Sequence, residues 1–134
     1  MNTDKEKKLT TWLIKHTEVE MAILFGSYAK GIENNHSDID LAIQLSSGET
    51  MQAEQKLDYL TQLVKLLETD IDLIDLKKVG QPLLSQIIKH GKRLKGQQAH
   101  YIELTIKNIN TTQDFMPYIE RMMAERRKRW LTNG

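Results

Sequence analysis

The sequence predicts a small α/β or α+β domain in which helices pack against a mixed sheet. Three observations carry that prediction. Short apolar runs alternate with apolar residues at helical spacing, so the order reads helix, strand, turn, strand, helix, strand, helix and a helical tail. Turn formers at Gly26 and at Gly80-Gln81-Pro82 punctuate those segments. The length, 134 residues, suits one domain, and folding at that size buries roughly two-thirds of the chain's surface. Residues 1–96 are read as the body of the domain and 97–134 as a helical extension of it.

In chain order, residues 5–16 place Leu9, Trp12, Leu13 and, less regularly, Ile14 at helical spacing, which predicts a first helix with one buried stripe. Residues 19–25 form a short apolar run stopped by Gly26, as expected of a strand buried on both faces. Residues 26–37 are rich in Gly, Asn and Ser and read as a turn, with or without a short helix, and then a polar loop. A second strand is expected over 38–45. After a break at 46–49, residues 51–67 carry Leu57, Leu60, Leu63, Val64 and Leu67 at helical intervals, predicting a crossover helix. Residues 70–76 favour a strand. A short helix through Ile87 and Ile88, capped by Gly91, and an edge strand over 93–95 follow. Residues 97–131 have helical composition, interrupted near 108–112, with Pro117 suited to the first turn of a last helix. Met116, Met122 and Met123 read as packing residues.

Composition narrows the function classes. No cysteine is present, which removes disulfides and thiolate metal sites and leaves oxygen- or histidine-ligated metals. The polar start has no apolar segment behind it, and no apolar run approaches the ~20 residues of a membrane span, so a cytoplasmic protein without membrane contact is expected. With 19 basic and 18 acidic residues the net charge is +1, which predicts no direct nucleic-acid partner. The stretch ERMMAERRKR over 120–129 concentrates positive charge and reads as a solvated helix face or a partner contact.

The chemistry gathers in Asp38-Ile39-Asp40. Side chains alternate along a strand, so Asp38 and Asp40 share a face, roughly 6 to 7 Å apart at Cα. Neighbouring anions repel, and a divalent cation between them relieves that cost; aspartate oxygens favour Mg²⁺, which completes its shell with water and substrate phosphates. Upstream, Gly26-Ser27 follows an apolar strand, where glycine permits close backbone approach to phosphate and the Ser27 hydroxyl can donate to it. A third carboxylate is available in Asp70-Ile71-Asp72. If that strand lies beside 38–45, Asp70 and Asp72 share one face and Asp75 takes the other, where a structural role is expected. Asp72, mid-strand, is the choice; Asp70 is the reserve. Its role would be to complete a second metal site and to accept the proton of an attacking hydroxyl, since two metals about 3.5 to 4 Å apart stabilise entering and leaving oxygens. His36, beside the aspartate pair, reads as loop decoration or as a nucleotide contact, and His16, His90 and His100 lack metal-ligand spacing.

Gly26-Ser27, ten intervening residues, then Asp38-Ile39-Asp40 resembles the Gly-Ser-x10-Asp-x-Asp signature of the minimal nucleotidyltransferases of the DNA polymerase β superfamily. The likeness spans residues 19–95. It implies the polymerase-β-like nucleotidyltransferase fold, ATP as substrate, and Mg²⁺, as two ions, held by Asp38, Asp40 and Asp72, with triphosphate at Gly26 and Ser27. One departure stands out: where the family often has Gly-Ser-Arg-Ala-Arg-Gly, this chain has Tyr28 and Lys30. Lys30 offers phosphate a point charge without arginine's fork. The short form resembles the antitoxin half of HEPN/MNT toxin–antitoxin pairs, which implies AMP transfer to a tyrosine of a HEPN-domain RNase toxin and a hetero-oligomer with it.

The expected mechanism is in-line attack of a hydroxyl on the α-phosphorus with loss of pyrophosphate. A polymerase is not expected, for want of a template-binding domain or basic groove. With about 75 residues devoted to nucleotide, the acceptor is expected to arrive on another protein. The rivals are adenylylation of a small alcohol and a non-catalytic antitoxin acting by binding alone.

Overall fold

The computed structural model describes residues 3–26, 29, 38–46, 48–109 and 124. Two compact units divide the chain, Met1–Tyr101 and Ile102–Gly134, and the sheet lies wholly in the first. Helix α1 spans Thr3–Lys15, strand β1 Val19–Phe25, strand β2 Ile39–Leu45, helix α2 Ala53–Leu67, strand β3 Ile71–Asp75, helix α3 Leu83–His90, strand β4 Lys92–Lys95 and helix α4 Gln98–Ile109. Only α4 reaches into the second unit, whose other described residue is Ala124. Pro117, Met116, Met122, Met123 and the 120–129 cluster lie outside the described residues, Ala124 apart. No helix among the described residues is long and apolar enough to cross a membrane.

The sheet has the order β3-β2-β1-β4 and is mixed as expected: β1 runs antiparallel to β2 and β4, while β2 and β3 are parallel. Parallel neighbours need a crossover, and α2 supplies it. Alternation sorts the strands into two faces. Val19, Ala22 and Leu24 of β1, Ile39, Leu41, Ile43 and Leu45 of β2 and Leu73 of β3 join Leu9, Trp12 and Leu13 of α1 and Leu63 and Leu67 of α2 in one core. The opposite face meets α3, whose Leu84, Ile87 and Ile88 are buried. A Cβ on Gly91, the residue after that helix, would fall on the Ile87 carbonyl and the Ile23 side chain, which explains a glycine there. Both edges carry charge, Asp72 on β3 and Lys92, Arg93 and Lys95 on β4, a composition that resists pairing with stray strands.

The crossover helix departs from the expected pattern in two ways. Its buried residues are Tyr59, Leu63 and Leu67, whereas Leu57 is 66% and Val64 38% exposed. The aliphatic positions misled because they straddle two stripes, and the core selected the one containing Tyr59. A buried tyrosine needs a partner for its hydroxyl, and here it has two: Tyr59 donates to Glu18 Oε1 (2.8 Å) and accepts from Gln55 Nε2 (3.1 Å). The helix also begins at Ala53 rather than Met51, because the Met51 N–H is drawn to Asp75 Oδ2 (2.7 Å) and Gln52 is extended at φ −77°, ψ 156°. At the other end Glu68, not glycine, takes the left-handed cap at φ 52°, and its N–H bonds the Val64 carbonyl (2.9 Å). Smaller shifts affect α1, which runs from Thr3 to Lys15 with Ile14 67% exposed, β2, which starts one residue after Asp38, and β4, which starts at Lys92.

The Tyr59–Glu18 bond ties α2 to the turn before β1 and sets a pH dependence. Burial pushes the Tyr59 hydroxyl up to about 12, the Glu18 bond adding to it. Burial opposes the Glu18 charge, but the hydrogen bonds from backbone and from Tyr59, with the charges of His16 and Lys95, outweigh it and hold Glu18 below its ordinary value. A depressed carboxylate stabilises the fold above its unfolded pKa and loses that contribution as pH falls through the folded one. Tyr59→Phe is therefore expected to cost about 1 kcal/mol at neutral pH. In melting curves the gap to the parent should narrow as pH drops below about 4; a constant gap would assign the loss to packing.

Candidate active site

Gly26 closes β1, and Asp38 stands at the entrance of β2, so the antiparallel pairing brings the turn and the acid pair to one end of the sheet. Phe25 lies opposite Asp40 in that register. Gly26 has φ +73°, a region that glycine alone enters cheaply, and a Cβ there would fall on the Asp40 carboxylate. Glycine is thus required at this turn for two reasons: backbone conformation and the room the carboxylate occupies. The sequence signals only the first; the second depends on the strand register. Ser27, Tyr28, Lys30 and His36 lie outside the described residues.

The parallel pairing of β2 with β3 puts Asp72 directly across from Asp40. Adjacent strands are about 4.8 Å apart, so the two side chains emerge side by side from the same face. Asp38 and Asp72 are exposed and Asp40 half-buried. Burial, then the neighbouring charges of Asp72 and Asp38, raise the Asp40 pKa above the ordinary carboxylate value. Asp70 comes before β3 and serves β2 through its backbone, its carbonyl accepting from the Ile39 N–H (2.9 Å). Asp75 alternates to the other face, where its carboxylate accepts from the N–H groups of Met51 (2.7 Å) and Lys77 (2.9 Å). Its role there is structural. Asp75→Ala should lower stability by roughly 2 to 3 kcal/mol, since a buried and a part-buried donor lose a charged acceptor; denaturant titration measures the loss.

An oxygen-only donor set of this kind suits Mg²⁺, and both the burial that raises Asp40 and the added repulsion from Asp72 and Asp38 are costs that a bound cation relieves. Among the described residues no three acidic or histidine side chains form a ready ligand cluster. Phosphate oxygens and water complete many Mg²⁺ shells.

Comparison with known proteins places the arrangement. The model of the family described as polymerase beta, nucleotidyltransferase matches residues 7–100. A curated relative, protein adenylyltransferase MntA of Shewanella oneidensis, is 30% identical over 96 residues, covering 72% of this chain and 68% of that protein. Among solved structures, a chain of a toxin–antitoxin crystal structure with AMP-PNP superposes with a TM-score of 0.73 at 26% identity, covering 93% of this chain and 98% of that one. A chain from the complex of the tri-AMPylated Shewanella oneidensis HEPN toxin with its MNT antitoxin superposes with a TM-score of 0.69 at 25% identity, with the same coverage. With a family model matched over most of its length and the glycine turn facing an aspartate pair, the chain belongs to the polymerase beta nucleotidyltransferase family.

Proposed function

We propose that this chain is an antitoxin that transfers AMP from ATP to a hydroxyl, a tyrosine, of a cognate HEPN-domain RNase toxin and so neutralises it. The observation that carries the reading is the Asp40 carboxylate, which lies against the Gly26 turn, directly across the strand pairing from Asp72 and within the field of Asp38. Support comes from a sequence relative that is a protein adenylyltransferase and from chains of similar fold in toxin–antitoxin complexes, one with AMP-PNP and one with a tri-AMPylated toxin.

Asp38, Asp40 and Asp72 would hold Mg²⁺, as a pair of ions, which when bound supplies charge neutralisation at the phosphates. Gly26, with Ser27 and Lys30, receives the β- and γ-phosphates, and Asp38 and Asp40 face the α-phosphate. The acceptor oxygen forms its bond to the α-phosphorus as the bond to pyrophosphate breaks, and Asp72 accepts the hydroxyl proton. Asp72 is preferred to Asp70 because its charge is the largest one acting on Asp40. Positioning and electrostatics supply the rate, without a covalent enzyme intermediate.

The test is transfer of label from α-labelled ATP to the purified toxin, with intact mass counting AMP units. Transfer should require Mg²⁺ and vanish on chelation. Asp72→Asn should lower the rate by about 10²-fold or more, while Asp70→Asn stays within about threefold. Undiminished neutralisation by an Asp38→Ala, Asp40→Ala double variant at equal protein level would refute catalysis as the means.

A further inference from the structure

The outer side of the α1/α2 layer holds a groove of about 310 Å³ lined by Lys7, Lys8, Thr11, Trp12, Lys15 and Leu66. Its floor is apolar and rigid. Trp12 is 7% exposed, stacks on His16 with ring centroids 3.8 Å apart, and spends its indole N–H on Gln62 Oε1 (2.9 Å). Around that floor stand exposed lysines, and Lys7, Lys8 and Lys15 form no ion pair with any described residue, in contrast to Lys92, which pairs with Glu6. Lys8 and Lys15 are two helical turns apart, about 10 Å along the axis. Like charges at that spacing repel within a Debye length and gain from an anionic partner.

We infer that this groove docks an acidic helix of the toxin, one carrying carboxylates two turns apart and an apolar side chain between them. The carboxylates would answer the lysines and the apolar residue would rest on Leu66 and on the small edge of Trp12 that reaches the groove. A helix in a groove reads spacing of this kind. Nucleic acid fits less well: single strands are held by stacking bases on open aromatic faces, and His16 and the core cover Trp12. The α1/α2 layer covers the sheet face of Leu24, Leu41 and Leu73, whereas Asp40 and Asp72 alternate onto the other face. A partner held in the groove therefore leaves the carboxylates open, and binding becomes separable from transfer. The inference rests on the proposed function for the identity of the partner.

The experiment compares the full chain with a Lys7→Glu, Lys8→Glu, Lys15→Glu variant by calorimetric titration of the toxin without ATP or Mg²⁺, and by AMP transfer at saturating toxin. The expected result is a Kd raised at least about tenfold at low salt, a gap that shrinks as salt rises. Transfer at saturation should stay within twofold. If the variant melts early, the Lys→Gln version is read in its place, with a smaller rise in Kd expected. An unchanged Kd, a parent chain that binds no toxin, or displacement of the toxin by a short RNA would each overturn the proposal. Lysine-dependent binding without any AMP transfer would support the docking site while sinking the function proposed above.

Discussion

Asp40→Asn will slow AMP transfer severely and yet leave the ligand-free protein more stable at neutral pH. Loss of one carboxylate at a site that works by charge placement is expected to lower the rate by about 10²–10³-fold. Stability moves the other way because the folded state raises the Asp40 pKa, through burial and then through Asp72 and Asp38. The sign follows from linkage. A carboxyl whose folded pKa lies above its unfolded one favours the fold while protonated and loses that contribution as pH rises through the folded pKa. Asparagine keeps the shape beside Gly26 and carries no charge. Since the site is partly solvated, screening limits the gain to about 1 kcal/mol or less, or a few degrees in Tm. Melting curves from pH 4 to 8 should show the variant's advantage growing with pH. Saturating Mg²⁺ and ATP should reverse the order, because only the parent gains from binding them. A variant that melts lower than the parent at pH 8 without ligand would mean that burial and the charges of Asp72 and Asp38 do not disfavour the Asp40 carboxylate as described.

Gly26→Ala is expected to damage fold and activity together. The left-handed backbone costs an alanine about 1–2 kcal/mol, which for a domain of this size is roughly 4–7 °C in Tm. The new methyl would also meet the Asp40 carboxylate, so the acid has to swing out of the site. Transfer should then fall by about 10²-fold, a misplacement effect. A double-mutant cycle separates the two causes. In an Asp40→Ala background the carboxylate is gone, so Gly26→Ala should cost less there, leaving a coupling of about 0.5–1 kcal/mol. Strict additivity would place the whole penalty in the backbone.

How much of this was legible beforehand depended on whether the signal was local. Strand β1 has the expected bounds because an apolar run and the glycine that ends it are properties of consecutive residues. Gly91 at the end of α3 and the opposed faces of Asp72 and Asp75 were readable for the same reason. Tyr59 was passed over in favour of Leu57 and Val64, since hydropathy ranks a tyrosine below a leucine and does not see Glu18, 41 positions away, waiting for its hydroxyl. Met51 looked like the start of a helix until Asp75, on another strand, claimed its N–H.

The amino-acid order by itself determined that Asp38 and Asp40 stand two apart and that Asp72 shares no face with Asp75, because the pleat alternates whatever its surroundings. Which strands became neighbours was decided only by tertiary structure. The parallel register set Asp72 across from Asp40, and the antiparallel one laid the Asp40 carboxylate where a Cβ of residue 26 would otherwise sit. Periodicity specifies the face a side chain takes; it holds no information about the chain that will lie alongside, which follows from how the apolar faces of the sheet and its helices are buried together.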